Sequence, residues 1–135
     1  MKIIEIPAEL ALPIRHQVLW PEQSLEFCRV PDDEDGQHYG VYEDNVLVCV
    51  ASIFISDDQA RLRKFATLPA YQSKGIGSAV IEHILADLKL KSVRCFWCDA
   101  RESAGGFYHR FGMAPEGERF YKGDVPYFKM SMTLK

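Results

Sequence analysis

Gly75 and Gly77 stand two residues apart in Gln72-Ser-Lys-Gly-Ile-Gly-Ser78, and residue types at that spacing can hold an anion. Before them, Arg61-Leu-Arg-Lys-Phe-Ala-Thr67 alternates in polarity and stops ahead of Pro69. After them, Ile76, Val80, Ile81, Ile84, Leu85 and Leu88 recur at helical spacing. Both glycines therefore fall where a helix begins. Without a Cβ the backbone can approach a ligand closely. The N–H groups of the first turn have no intrahelical acceptor and lie at the positive end of the helix dipole. Three phosphate-binding patterns compete for the loop. The nucleotide-hydrolysing form G-x-x-x-x-G-K-[ST] needs Lys-Ser or Lys-Thr after its second glycine, which is absent. A dinucleotide fingerprint needs a third glycine, but Val80 occupies that place and the strands before it read as hairpins. A pyrophosphate cradle of another kind is left, against the plainer alternative of glycines chosen for close packing.

Cys95-Phe-Trp-Cys98 has the C-x-x-C form of a redox or zinc element. It lies inside Ser92-Val-Arg-Cys-Phe-Trp-Cys-Asp99, which reads as a strand, and in a strand positions three apart face opposite sides. A zinc site also needs a second pair, which Cys28 and Cys49 are too far apart to supply. The four cysteines are read as reduced, packed thiols, and no metal is expected. A thiol redox role would require the Cys95 and Cys98 sulfurs within bonding reach, about 2 Å.

The elements that must position the loop follow from periodicity and turn residues. A strand near residues 2–6 leads to a helix over much of residues 10–20, ended by Pro21. Residues 21–37 form the least regular part, with an extra helix within 22–30 as an option and a solvated acidic run at Asp32–Asp35. Residues 38–43 and 46–55 make strands about a tight Glu43-Asp-Asn45 turn, and Asp57-Asp58 turns into the strand at 61–67. The loop helix runs to about Leu90, followed by a strand at 93–99, a helix at 103–111 with Gly112 as its C′ residue, and a hairpin of 113–120 with 127–134. The order is β-α-β-β-β-α-β-α-β-β. It predicts one α/β (α+β) domain over residues 1–135, with a mixed, mostly antiparallel sheet flanked by helices.

Composition bounds the function. With 47% hydrophobic residues in 135, the chain can bury a sizeable core as one domain. A net charge of −3 gives no general attraction to nucleic acid or to an anionic membrane. No run approaches the ~18–20 apolar residues that span a bilayer, and Met1-Lys-Ile-Ile-Glu-Ile-Pro lacks the apolar stretch of a secretory signal. A cytoplasmic protein without nucleic-acid or membrane partners is expected. Exposed edge strands make a homodimer reasonable.

Gln72-x-x-Gly75-x-Gly77 resembles the Q/R-x-x-G-x-G/A loop of the GNAT superfamily of N-acetyltransferases, which holds the pyrophosphate of acetyl-CoA on backbone amides. Thr67-x-Pro69-x-Tyr71-Gln72 matches the lead-in to that loop. Arg101-x-x-Ala104-x-x-Phe107-Tyr108-x-x-x-Gly112-Met113 resembles the second signature, which usually ends Gly-Phe. Arg15-x-x-Val18 through Pro21-Glu-Gln, the acidic run to His38-Tyr39, and Val125-Pro126 with Met130 resemble a subgroup of small bacterial single-domain members. The resemblance implies the GNAT acyl-CoA N-acyltransferase fold and transfer of acetyl from acetyl-CoA to a primary amine of a small molecule or peptide. By the same resemblance, backbone groups of Phe65, Ala66 and Thr67 would bond the pantetheine arm like an added strand. Amides of Ser73, Lys74, Gly75, Ile76, Gly77 and Ser78 would hold the pyrophosphate, with the Gln72 and Lys74 side chains as secondary contacts. Arg101 and Ala104 would complete the cofactor site, although many relatives have asparagine where Arg101 stands.

Tyr108 is implied as the general acid for the CoA thiolate. A phenol with an ordinary pKa of about 10 stays protonated at neutral pH, whereas a thiol titrates near ~8.5. A core aromatic like Phe107 and Phe111 is the alternative that periodicity leaves open. No carboxylate base precedes the glycine loop, since Arg61, Arg63 and Lys64 occupy that strand. A water relay, or one of Glu34, Asp35, His38 and Glu102, is left for that role. Arg61 and Arg63 would favour an acidic acceptor if they lined its cleft, and Trp20, Tyr39 and Trp97 are candidate pocket walls. The alternative function, from a different class, is a non-catalytic acyl-CoA sensor or docking module that keeps the glycine cradle.

Overall fold

A computed structural model describes residues 1–134. In chain order the elements are β1 (Lys2–Ile6), α1 (Ala8–Leu19), 3-10 turns at Glu26–Cys28 and Asp33–Asp35, β2 (Gln37–Glu43), β3 (Val46–Ser56) and β4 (Gln59–Thr67). A 3-10 turn at Pro69–Tyr71 then leads to α2 (Ile76–Leu90), β5 (Cys95–Arg101), a 3-10 turn at Glu102–Ala104, α3 (Gly105–His109), β6 (Ala114–Pro115), β7 (Phe120–Lys122) and β8 (Val125–Thr133). The strands are hydrogen-bonded in the order β1-β2-β3-β4-β5-β8-β6, with β7 on β8. The sheet is mostly antiparallel. Its parallel pair, β4 with β5, runs from Gln59↔Cys95 to Arg61↔Trp97. Parallel neighbours need a long crossover, and α2 provides it.

The chain divides into two compact units. One comprises Met1–Phe54 with Leu62–Ile84, the other Ile55–Arg61 with the chain from Leu85 on. In the first unit, β2 and β3 form a hairpin closed by Asp44 and Asn45, both at positive φ (49° and 67°), the geometry a two-residue loop needs to follow strand twist. Its core gathers Ile6, Ala11, Ile14, Val50 and Ala66, with Val18, Leu19, Tyr42, Leu47 and Leu68 packed against it. Burying each large aliphatic side chain there is worth roughly 1.5–3 kcal/mol. That gain lets α1 carry Pro13 in its interior, where the missing N–H and ring clash cost about 3 kcal/mol in an isolated helix.

Arg15 departs most from an ordinary amphipathic pattern, being fully buried. Its Nη1 donates to the Cys28 carbonyl (3.1 Å) and to Asp33 Oδ2 (2.8 Å). Its Nη2 donates to Asp33 Oδ1 (3.0 Å) and to Ser52 Oγ (2.9 Å). The Val30 amide donates to Asp33 Oδ2, and His38 contacts Ser52 Oγ (2.7 Å) and the Asp33 carbonyl (2.9 Å). Asp33 is therefore not a solvated member of the acidic run, as its composition suggests. It is the counter-ion that fastens residues 28–36 to α1 and β3. Burial alone would raise its carboxyl pKa, but the Arg15 hydrogen bonds, the Val30 amide and the Arg15 charge outweigh burial and hold it below the ordinary value. A depressed carboxyl contributes stability above its unfolded pKa of about 3.9 and loses it as pH falls through the folded value. Asp33→Asn should therefore destabilise the protein at pH 7 and converge on the wild type in acid. Urea midpoints from pH 7 to pH 2 check this, and a gap that does not shrink in acid would contradict it.

In the second unit, the Asp58 carbonyl accepts N–H from Arg94 (2.8 Å) and Cys95 (3.2 Å), which sets β5 beside the start of β4. Along β5, Phe96, Cys98 and Ala100 are buried, while Cys95, Trp97 and Asp99 on the other face are partly exposed. On that face Arg61 pairs with Asp99 (3.1 Å) and lies 4.6 Å from the Trp97 ring centre. Lys129 lies over the same ring at 4.6 Å and pairs with Glu116 (2.8 Å). Helix α3 ends in a Schellman motif: the Met113 amide bonds the Tyr108 carbonyl, the Gly112 amide bonds His109, and Gly112 has φ +100°.

Several expected elements differ in detail. Residues 22–30 hold a single 3-10 turn rather than a helix, and the helix expected at 103–111 is a 3-10 turn followed by the short α3. The first arm of the last hairpin splits into β6 and β7, because β8 is long enough to pair with both. Among the described residues no helix is long and apolar enough to cross a membrane, and no group of three or more His, Cys, Asp or Glu is placed to hold a metal ion.

Candidate functional site

The glycine loop belongs to the first unit. Strand β4 ends at Thr67, whose Oγ1 donates to Cys49 Sγ (3.2 Å), and the Leu68 amide bonds the Val48 carbonyl (2.8 Å). Ala66 is buried in the core, while Phe65 and Thr67 are partly exposed. Lys64, just before them, has φ +54°, unusual for a lysine within a strand and the mark of a local kink in β4.

The chain then turns through Pro69–Tyr71 into the loop. The Gln72 side-chain amide donates to the Thr67 carbonyl (2.9 Å), bracing the loop against the strand end. Lys74 Nζ stands 5.8 Å from the Tyr71 ring centre. Ser73 and Gly75 both have positive φ, 61° and 83°. A Cβ built on Gly75 meets no atom within 4 Å, so this position opens outward rather than packing against the protein. The alternative of glycines chosen for close packing is thereby ruled out at Gly75. Gly77 differs, being the second residue of α2 without a positive φ. Ile76 turns its side chain into the core, leaving only its amide to the loop mouth. The Gly75 carbonyl accepts the Ala79 amide (3.0 Å), so α2 starts there and the Ile76, Gly77 and Ser78 amides have no partner within the helix.

Tyr108, Arg101 and Ala104 belong to the second unit. Arg101 ends β5 opposite Tyr127, and Ala104 closes the 3-10 turn before α3. Tyr108 is buried, 9% exposed, with its ring 5.1 Å from that of Phe107. Burial first, then Cys98 of β5 as a neighbour, raises the phenol well above the ordinary pKa expected from sequence. Cys98 is itself pushed up to about 12, chiefly by burial. Cys98 is the packed strand thiol expected from the sequence, and its influence on Tyr108 arises only in the folded chain.

The other residues singled out are engaged elsewhere. Arg61 is held by Asp99 and Trp97. Glu102 pairs with Arg119 (2.7 Å), His38 lies in the Arg15 network, and Glu34 and Asp35 are exposed. All four cysteines are free thiols, with Cys95 and Cys98 on opposite faces of β5, which removes the redox reading. Trp20 forms an exposed edge-to-face pair with Phe27 (5.3 Å), and Lys64 stands 5.8 Å from its ring.

Comparison with known proteins gives the family and the fold. A family model described as the acetyltransferase (GNAT) domain matches residues 17–134. The uncharacterized N-acetyltransferase YitI of Bacillus subtilis (strain 168) is 34% identical over 135 residues, covering 93% of this chain and 89% of that protein. The crystal structure of the ribosomal-protein-S18-alanine N-acetyltransferase of Escherichia coli superposes with a TM-score of 0.83 at 18% identity, covering 98% of this chain and 93% of that one. A GNAT family acetyltransferase of Elizabethkingia anophelis, solved with acetyl-CoA bound, gives a TM-score of 0.74 at 15% identity, with 98% and 97% coverage. By its matched sequence model and its fold, this chain belongs to the GNAT family of N-acetyltransferases and is an acyltransferase.

Proposed function

We propose that the chain works as one catalytic domain that transfers acetyl from acetyl-CoA directly to a primary amine of a small molecule or peptide. Acetyl-CoA supplies the activated thioester. The residues at the loop fit it: Gly75 is open and left-handed at the start of a helix whose first amides lack helical partners, and this observation carries the reading. Amides of Ser73 through Ser78 hold the pyrophosphate, with Lys74 adding charge. Backbone groups of Phe65, Ala66 and Thr67 hold the pantetheine arm, and Arg101 and Ala104 lie against the cofactor. Gln72 acts through its bond to the Thr67 carbonyl, keeping strand end and loop in register. Tyr108 holds, at Oη, the proton that the departing thiolate needs.

The test is thiol release from acetyl-CoA across polyamines, aminoglycosides, amino acids and peptides with free N-termini, including N-terminal alanine. At least one amine should drive release. Measurable CoA binding with no release from any amine would replace this reading with that of an acyl-CoA sensor. The cradle is checked separately. A non-glycine residue in the left-handed region costs roughly 1–2 kcal/mol, and a methyl on Gly75 would enter the space the phosphate needs. Gly75→Ala should therefore weaken CoA binding by about tenfold or more, while Ser73→Ala, which keeps the amide, should stay within about twofold. Calorimetry with CoA decides, and equal affinities for the two variants would contradict a backbone cradle at Gly75.

A further inference from the structure

Thr67 closes β4, and its side chain is committed to the protein: Oγ1 donates to the sulfur of Cys49 (3.2 Å), a fully buried thiol on β3. One residue on, the Leu68 amide donates to the carbonyl of Val48, the neighbour of Cys49 (2.8 Å). From the loop side, the Gln72 side-chain amide donates to the Thr67 carbonyl (2.9 Å). The strand end is thus gripped twice by β3 and once by the glycine loop. We propose that Cys49 is a positioning residue for the cofactor: through the Thr67 hydroxyl it fixes the strand end whose main chain the pantetheine arm of acetyl-CoA bonds. The inference rests on the reading that backbone groups of Phe65, Ala66 and Thr67 hold that arm.

Each partner suits this task. Threonine is branched at Cβ and has few side-chain rotamers, so binding its hydroxyl restrains the residue down to its backbone. With the hydroxyl spent on Cys49, what Thr67 offers a ligand is its main chain. A carbonyl oxygen has two lone pairs, so the bond from Gln72 leaves one for the arm. Burial pushes the Cys49 thiol up to about 11, so at neutral pH it stays an uncharged acceptor. Cys49 itself touches neither cofactor nor reacting atoms, and it acts on them only through Thr67.

The test is calorimetry with CoA and with 3′-phospho-ADP, which keeps the diphosphate of CoA and lacks the arm. It compares wild type, Cys49→Ala, Thr67→Val, Thr67→Ser and the Cys49→Ala/Thr67→Val pair. Thr67→Val removes the hydroxyl and keeps the side-chain shape, so it reports on the bond even where Cys49→Ala, which opens a buried gap, proves too unstable. Cys49→Ala and Thr67→Val should each weaken CoA about threefold to tenfold, the net worth of one hydrogen bond, with 3′-phospho-ADP within about twofold. Thr67→Ser keeps the hydroxyl and should stay near wild type, and the pair should lose no more than the worse single variant. Wild-type CoA affinity in Thr67→Val, a loss in Thr67→Val that Cys49→Ala does not share, equal weakening of both ligands, or losses that add in full would overturn the inference and leave the arm on β4. A wild type that binds CoA no more tightly than 3′-phospho-ADP would instead remove the arm reading and this inference with it.

Discussion

Tyr108→Phe is expected to lower kcat by about 10²-fold, with CoA affinity within about twofold of wild type. The substitution removes one hydroxyl from a buried ring that keeps its edge-to-face contact with Phe107, so the fold should tolerate it. The size of the effect follows from the environment. General acids contribute roughly 10² to 10⁴, and the value is largest when the pKa lies near the working pH. Burial and Cys98 push this phenol the other way, above its ordinary value. It is therefore always protonated at neutral pH but a reluctant donor, which places its contribution at the lower end of the range. The same shift fixes the sign of the pH dependence. The acid must be protonated to act, so no alkaline loss of kcat due to Tyr108 should occur below about pH 10, the ordinary phenol value. Steady-state kinetics of both proteins from pH 6 to 10 test this. A variant with wild-type kcat would exclude the role, and an alkaline limb near neutrality that vanishes with the hydroxyl would contradict the raised phenol pKa.

Arg15→Ala is expected to cost about 3–5 kcal/mol of stability, because it removes a fully buried guanidinium and leaves its partly buried counter-ion without that partner. The Asp33 carboxylate would keep the Val30 amide as hydrogen-bond donor and His38 at 3.9 Å, and Ser52 and the Cys28 carbonyl would each lose a donor. A typical domain has about 5–15 kcal/mol in total, so a large share is at stake. Arg15→Lys should recover little, since one ammonium cannot reproduce a two-pronged bond to Asp33 together with bonds to Ser52 and Cys28. The pair is also imperfect, with Arg15 Nε buried and unpartnered among the described residues. Replacing Arg15 and Asp33 together with apolar residues should therefore be far less damaging than replacing Arg15 alone. Urea midpoints of the three variants decide, and a loss below about 1 kcal/mol for Arg15→Ala would show that the network contributes little.

What the chain reveals unaided is what depends on near neighbours in sequence. The Gly75 loop, the helix after it, the Asp44-Asn45 turn and the Gly112 cap each arise from a backbone requirement met within a few residues. Their positions could therefore be read from spacing and turn chemistry. Tertiary structure decided the rest, because the energies at issue are paid and returned between distant segments. Pro13 persists inside α1 since packing of Ala11, Leu12 and Ile14 outweighs a local penalty. Asp33 looks like one more solvated acid until Arg15, eighteen residues earlier, is buried against it. Tyr108 looks like any core aromatic in the sequence, and only its burial in the folded chain, with Cys98 of another element acting on it, raises its phenol above the ordinary value.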